Sequence, residues 1–213
     1  MTDRNDVFRG GVTLALIAAV CTSIVAATYL VTRDRIAANQ KAWIERRLEP
    51  VLSDVVFDSG LTDARLVIPP PHELPGSEAA TIYRVYNGGD PAAALFVVSA
   101  RGYSGPIRLL VGVDAGGVVK GIRVIEHRET PGLGDLVESG KTDWILQFNG
   151  RRLGDPEFSN WAIKRDGGEF DQLTGASVTP RAIVNAVRDT LLYFSTNTEQ
   201  LFVTLETQTE DDS

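Results

Sequence analysis

The chain has 213 residues with a formal net charge of −7, one cysteine and two histidines. This acidic balance argues against nucleic acid as a partner, because proteins that bind phosphate backbones usually gather an excess of Lys and Arg. Cys21, as the sole cysteine, excludes an internal disulfide and a thiolate metal or iron–sulfur site, and His72 and His127 are too few for a multi-histidine metal centre.

The first predicted element is an uncharged run from Gly10 to Thr32, flanked by Arg9 and Arg33. At a rise of about 1.5 Å per residue it is long enough to cross a hydrocarbon core of about 30 Å, which predicts a single transmembrane helix. A buried core helix and a cleaved signal peptide are the alternatives, although signal peptides usually have only about 7–15 apolar residues. The flanking charges leave the orientation open, because the positive-inside rule is weak for long domains.

A helix leaving the membrane is predicted next, from Arg35 to Leu52, because its apolar residues recur at helical spacing beside a charged face. The stretch from Pro69 to Gly76 then predicts a stiff connector, since neither a helix nor a central strand tolerates consecutive prolines.

Four β-like runs follow the connector, at residues 81–87, 93–101, 107–114 and 118–126. Glycine-rich breaks between them are typical of hairpins, so adjacent strands are expected to pair antiparallel. The predicted fold class is therefore α+β, a mostly antiparallel sheet with helices on one side.

The last predicted element is a helix over residues 179–197, with Thr179 as its cap and Pro180 at its first position. The segment DQLTGASVT, residues 171–179, places small hydroxyl residues and a glycine at the start of that helix. Free N–H groups and the positive end of a helix dipole favour an anion there. From the residue types alone an ordinary capping turn is favoured over an anion site, because hydroxyl-rich helix caps are common.

The segment 171–179 resembles the flavinylation motif of FMN-binding domains, D-x-x-[ST]-G-A-[ST]-x-T. With the N-terminal apolar run, Gly102–Gly105, Glu126–Asp135 and Trp144, it is similar in order to the G subunit of the Rnf ion-translocating electron-transport complex. The C subunit of the sodium-pumping NADH:quinone reductase is a more distant relative. The resemblance implies an α+β FMN-binding domain, with FMN joined to Ser177 through a phosphoester bond by an ApbE-type flavin transferase.

Threonine is the usual acceptor in the Rnf protein, whereas this chain has Ser177, which offers the same nucleophilic oxygen. Thr174 and Thr179 are the other candidate acceptors. The resemblance further places Glu129, Thr130 and Leu133 near the flavin. The full set of expected cofactor-binding residues is Ser177, Thr174, Gly175, Ala176, Thr179, Asp171, Tyr103, Glu129, Thr130, Leu133 and Lys164.

Two of the singled-out side chains have a second interpretation. Lys164 either neutralises the charge of the phosphate or reduced flavin, or is a solvated surface lysine. His127 has the chemistry of a catalytic base or a ligand, but it has no second histidine or cysteine nearby, so it is expected to be a packed polar residue. No residue is expected to be catalytic, since a protein of this kind positions its cofactor and turns over no substrate alone.

The resemblance also implies a place in the cell and a partner set. The chain is expected to be a single-pass protein of the bacterial inner membrane, with its globular domain on the periplasmic side, relaying electrons between other subunits of a ferredoxin:NAD oxidoreductase complex. The alternative is a membrane-anchored sensor domain that holds a small anion noncovalently. The expected organisation is a cytoplasmic stub (1–9), a transmembrane helix (10–32), a stalk helix and connector (33–76), an FMN-binding domain (77–205) and an acidic tail (206–213).

Overall fold

Five strands form a single antiparallel sheet in the order β1-β2-β3-β4-β5. The computed structural model describes residues 8, 14–23, 26, 28–29, 32, 49–52, 55–58, 60–61 and 64–203. Each strand is hydrogen-bonded to the next one along the chain, as the hairpin breaks predict. The bounds are β1 Ala64–Ile68, β2 Ala80–Asn87, β3 Asp90–Arg101, β4 Pro106–Asp114 and β5 Val119–Glu126.

Four of these strands confirm the predicted runs to within a few residues, whereas β1 was not predicted. Its five residues, Ala64–Ile68, lie in the segment interpreted as stalk and connector, where they form the edge of the sheet beside β2. Only every second side chain of β1 is exposed, and the others are only partly buried. So short an edge strand leaves a weak pattern in the sequence.

The C-terminal helix, Val178–Val203, covers one face of the sheet. Phe96 of β3 packs edge-on against Tyr193 and Phe194 of this helix, with ring centroids 6.4 and 6.2 Å apart. The helix was predicted over 179–197, and it extends further because Leu201 is also buried in the core.

Part of the opposite face of the sheet, over β4 and β5, is covered by the short 3₁₀ helix Glu49–Val51 and the residue after it. Val51 and Leu52 are buried, and a Cβ added to Gly112 of β4 would lie 2.6 Å from Val51 Cγ1. Gly112 is paired with Leu95 in the register of the sheet. Leu95 and Phe96 are consecutive in β3 and point to opposite faces, so Val51 and Leu52 pack on the face opposite to that of Phe96. The predicted α+β class, an antiparallel sheet with flanking helices, is confirmed, but helical segments lie on both faces and not on one side only.

Four further 3₁₀ helices connect β5 to the C-terminal helix: Gly134–Val137, Trp144–Phe148, Phe158–Asn160 and Lys164–Asp166. Stacked aromatic rings support this connection. Phe170 lies between Phe148 and Trp161, at centroid distances of 4.8 and 4.9 Å. This cluster fixes the chain immediately before Asp171, where the segment with the flavinylation pattern begins.

The N-terminal part forms a separate unit, Met1–Ile44, next in sequence to the unit Glu45–Ser213. Residues 14–23 are helical, and the rest of the span predicted from Gly10 to Thr32 falls partly outside the described residues. Among the described residues, no helix combines the length and the apolar character needed to cross a bilayer. Residues 35–48 of the predicted stalk helix and the acidic tail 206–213 also lie outside the described residues.

Candidate functional site

The residues before the C-terminal helix form a tight turn. The Ala176 N–H donates to the Leu173 carbonyl at 3.1 Å, and Gly175 has a φ of 81°. No described residue other than glycine has a positive φ, so the turn is left-handed only at its third position. This is the requirement of a type II turn, and glycine meets it without strain. The glycine of the pattern therefore has a structural reason.

Ser177 occupies the N-cap of the C-terminal helix. Its carbonyl accepts the first intrahelical hydrogen bond, from the Arg181 N–H at 3.3 Å, and the helix begins at Val178. Ser177 is partly buried, and its hydroxyl accepts an exposed hydrogen bond from Arg165 Nη1 at 3.0 Å. The side chain at this helix start thus contacts a cation.

Thr179 does not cap the helix, so the sequence-based prediction for this residue is wrong. Its side chain is buried, and its hydroxyl donates to a carboxylate oxygen of Glu129, fifty positions earlier in the chain. Pro180 correspondingly is the third helical residue, where a missing N–H still removes no intrahelical bond.

The buried Glu129 carboxylate joins three separate segments. Besides the Thr179 hydroxyl, it accepts the backbone N–H groups of Tyr103 at 3.3 Å and Ser104 at 2.9 Å. The backbone at Gly134 lies close to the Glu129 side chain, and glycine allows this, since an added Cβ would lie 2.8 Å from Glu129 Cβ. The loop after β3, the loop after β5 and the start of the C-terminal helix are therefore fastened at one point.

His127 is hydrogen-bonded on both ring nitrogens. Nδ1 accepts the Glu129 N–H at 3.1 Å, and Nε2 lies 2.9 Å from Glu138 Oε1. Because Nδ1 is an acceptor, the ring proton is on Nε2 and is donated to Glu138. The imidazole thus holds the backbone of Glu129 through a hydrogen bond, in keeping with the interpretation of His127 as a packed polar residue.

Lys141 bridges two carboxylates in the loop after β5, Asp135 at 2.8 Å and Glu138 at 2.5 Å. These hydrogen bonds from the ammonium lower the pKa of both carboxyl groups. A carboxyl whose pKa is lower in the folded state stabilises the fold above its unfolded pKa of about 4, and loses that contribution as the pH falls through the folded value.

We therefore expect the unfolding temperature to be constant from about pH 5 to 7 and to fall below about pH 4. Thermal unfolding followed by circular dichroism at successive pH values measures this. Lys141→Gln should make the fall in unfolding temperature at low pH smaller, because both carboxyls then lose the ammonium that lowers their pKa. An equal unfolding temperature at about pH 3 and pH 6 would contradict the assignment.

The three segments that Glu129 fastens enclose a cavity of about 280 Å³. Eight of the eleven residues predicted to bind the cofactor line it, together with Gly134 and Val178. The eight are Tyr103, Glu129, Thr130, Leu133, Gly175, Ala176, Ser177 and Thr179.

The rim of this cavity is apolar and open to solvent. Tyr103 is 76% exposed, and Leu133 and Val178 are each 42% exposed. Three large apolar side chains left uncovered around one cavity are suited to a flat, partly apolar ligand. The Ser177 hydroxyl is a polar group in the lining, and the Arg165 guanidinium, which does not itself line the cavity, adds a cation beside that hydroxyl. This combination fits a flavin nucleotide, which joins a planar ring to a phosphate.

The three remaining predicted residues lie outside the cavity lining. Lys164 forms an exposed ion pair with Asp171, and Thr174 is exposed in the turn. The backbone of Asp171 is fixed on both sides, because its N–H donates to Gln147 Oε1 and its carbonyl accepts from Trp144 Nε1, both at 2.7 Å. The cation on Ser177 is Arg165, a residue that the sequence patterns did not indicate.

A larger, more open depression of about 450 Å³ lies between the β4–β5 hairpin and the C-terminal helix. Its hydroxyl groups are already engaged, since Ser195 donates to the Leu192 carbonyl and Thr198 to the Phe194 carbonyl. Among the described residues that line it, only Arg152 is charged. The cavity at Ser177 is therefore the better candidate site.

Comparison with known proteins assigns the chain to a family. The G subunit of an ion-translocating oxidoreductase complex from Pseudoalteromonas atlantica is 38% identical over 93% of this chain and 93% of its own length. The chain belongs to this G-subunit family. The protein of the same name from Vibrio vulnificus is also 38% identical, over 92% of this chain and 93% of its own length.

Two family models match parts of this G-subunit chain. One, described as FMN-binding domain, matches residues 102–192, which include every residue that lines the candidate cavity. The other, described as RnfG N-terminal region, matches residues 1–51. The fold is similar to that of the C subunit of the Na⁺-translocating NADH-quinone reductase from Parabacteroides distasonis, with a TM-score of 0.50 and 16% identity, covering 76% of this chain and 94% of that one.

Proposed function

We propose that this chain carries FMN covalently on Ser177 and relays electrons within an Rnf-type ion-translocating ferredoxin:NAD oxidoreductase complex. The observation that carries the proposal is the position of the Ser177 hydroxyl, at a helix N-cap and in the lining of an apolar-rimmed cavity. Membership of the G-subunit family and the match to an FMN-binding domain support it.

Attachment is a phosphoryl transfer to the serine. The bond from Ser177 Oγ to phosphorus forms, and the bond from phosphorus to a nucleoside monophosphate of a flavin dinucleotide breaks. The hydroxyl proton goes to a base of an ApbE-type transferase, and no electron changes hands. The tether leaves the ring free, and bound FMN supplies reversible electron uptake and release between neighbouring redox centres.

The residues of this chain hold and orient the group. Gly175 leaves the backbone beside Ser177 without a side chain, and Arg165 and the helix N-terminus favour a negative phosphate. Tyr103, Leu133 and Val178 offer apolar surface to a ring. We assign Glu129 to a positioning role, because its two carboxylate oxygens already bind protein groups.

The proposal includes the arrangement in the membrane. The uncharged run from Gly10 to Thr32 anchors the chain in the bacterial inner membrane as a single span, and the domain formed by residues 77–205 lies on the periplasmic side. A tag placed after residue 213 should then be accessible to an impermeant reagent in cells whose outer membrane is permeabilised. Labelling only after the inner membrane is lysed would contradict the periplasmic placement.

The alternative is a sensor domain that holds a small anion noncovalently at the same helix start. Fluorescence under ultraviolet light after denaturing gel electrophoresis separates the two, since only a covalent flavin survives denaturation. We expect a fluorescent band for the chain isolated from a host with the transferase. The band should vanish in Ser177→Ala and persist in Ser195→Ala, whose hydroxyl is bonded to the Leu192 carbonyl elsewhere on the helix.

The relay role is tested in membranes that contain the whole complex. Ser177→Ala should abolish ferredoxin-dependent turnover of NAD while the other subunits still copurify with the chain. Ser195→Ala should keep that turnover. Full turnover by a Ser177→Ala complex without attached flavin would contradict the relay role.

A further inference from the structure

Arg165 contacts the proposed attachment point directly. Its Nη1 donates to Ser177 Oγ at 3.0 Å, although twelve positions separate the two residues. The 3₁₀ helix Lys164–Asp166 places the guanidinium there, and the aromatic cluster around Phe170 supports that segment. The contact follows from the tertiary fold.

The neighbouring cations are already paired with carboxylates. Lys164 is paired with Asp171, and Arg181 forms a two-pronged pair with Asp166 at 2.6 and 2.9 Å. Within the part of the chain that the structure describes, no carboxylate oxygen lies within 4.0 Å of the Arg165 guanidinium. The pKa of Asp166 is lowered mainly by its hydrogen bond with Arg181 and further by the charge of Arg165, but the hydrogen bond of Arg165 itself goes to a hydroxyl.

We propose that Arg165 is the phosphate-binding residue of the flavin attachment site. This inference rests on the proposed attachment at Ser177. After attachment, the Ser177 oxygen is part of a phosphodiester with one negative charge, so the guanidinium beside it gains an anionic partner. A guanidinium can donate two parallel hydrogen bonds to phosphate oxygens, and charge-assisted bonds are stronger than neutral ones.

Arg165 also acts before attachment. Since it donates to Ser177 Oγ, it uses an oxygen lone pair and leaves the hydroxyl proton available to a base. A cation at this distance stabilises negative charge that develops on the oxygen as the proton leaves, and on the phosphoryl group as it arrives. Arg165 thereby favours Ser177 over hydroxyls without such a neighbour.

The test compares the initial rate of flavin attachment to the full-length chain in detergent, with purified transferase and a flavin dinucleotide. Arg165→Gln should lower this rate about tenfold, the factor that corresponds to 1.4 kcal/mol. Arg165→Lys should restore part of it. Arg152→Gln removes an arginine at the other depression and serves as the matched control, with a rate near that of the unaltered chain. Because Arg165 is exposed, its variants should unfold at temperatures close to that of the unaltered chain.

Phosphorus NMR of the loaded chains provides the second readout. The phosphodiester resonance should shift in Arg165→Gln and stay in place in Arg152→Gln. An unchanged rate would overturn the proposal. A slower rate of flavin attachment with an unmoved resonance would also overturn it, since Arg165 would then act by contacting the transferase and not by binding the phosphate. If the unaltered chain accepts no flavin, the proposed function itself fails, which is a separate result.

Discussion

Glu129→Ala is expected to lower the free energy of unfolding by about 3 kcal/mol, because it leaves two backbone N–H groups and the buried Thr179 hydroxyl without their acceptor. For a domain of this size, that loss corresponds to a fall of about 10 °C in the unfolding temperature. Thermal unfolding by circular dichroism measures the effect. The loss of fastening at Glu129 should also open the cavity and reduce flavin attachment.

Two further variants define the cause. Glu129→Gln keeps the shape but offers one acceptor oxygen instead of two, so its cost should be smaller. Glu126→Gln is the matched control, since the Glu126 side chain is 61% exposed and lies 3.8 Å from Arg108. Its unfolding temperature should match that of the unaltered chain. Equal stability of Glu126→Gln and Glu129→Ala would rule out Glu129 as the residue that fastens these segments.

Phe170→Ala is expected to cost about 4 kcal/mol, within the usual range for removing a large buried aromatic ring. Phe170 is 1% exposed and lies between Phe148 and Trp161. Asp171 directly follows Phe170. The void that Phe170→Ala creates should therefore also loosen the turn that carries Ser177. Chemical denaturation gives the free energy of unfolding, and the rate of flavin attachment reports the state of the turn.

Phe158→Ala is the control for this prediction. It removes the same side chain at a position that is 53% exposed, where the Arg188 guanidinium lies 5.2 Å from the ring centroid. Its cost should be below about 1 kcal/mol. If Phe158→Ala and Phe170→Ala had similar costs, the stacked cluster would not be the support of this segment.

Local patterns predicted the elements of this fold well. The β-like runs and the glycine-rich breaks between them placed β2 to β5, because hairpin strands are neighbours in sequence and carry their pairing signal locally. Strand β1 was missed since its five residues lie before a proline-rich stretch and form only an edge. The helix start was misplaced at Thr179, because a hydroxyl suited to capping is engaged by Glu129, a residue distant in sequence.

In the candidate site, too, local sequence motifs were predictive, whereas contacts between residues distant in sequence were not. The resemblance of residues 171–179 and 126–135 to a known motif indicated most of the cavity lining. Arg165 was not predicted, because its contact with Ser177 depends on a 3₁₀ helix and an aromatic cluster that have no clear local pattern. Lys164, its neighbour, has the same charge in the sequence but pairs with Asp171 in the structure. Sequence spacing does not distinguish two adjacent cations.

The glutamate and the arginine support different parts of one site. Glu129 joins the loops that form the apolar side of the cavity, and Arg165 provides a cation next to the Ser177 hydroxyl. A flavin nucleotide needs both, since its ring and its phosphate differ in polarity. The proposed relay therefore depends on the segments between β3 and the C-terminal helix being held in place together.

Covalent attachment at Ser177 is tested by peptide mass spectrometry of the chain isolated from a host with the transferase. Trypsin cleaves after Arg165 and Arg181, so Ser177 lies in the peptide 166–181. We predict that this peptide carries the added mass of one FMN less one water, as a phosphoester, that fragmentation assigns it to Ser177, and that Ser177→Ala yields the unmodified mass. An unmodified peptide from the unaltered chain, or FMN on Thr174 or Thr179, would contradict this attachment.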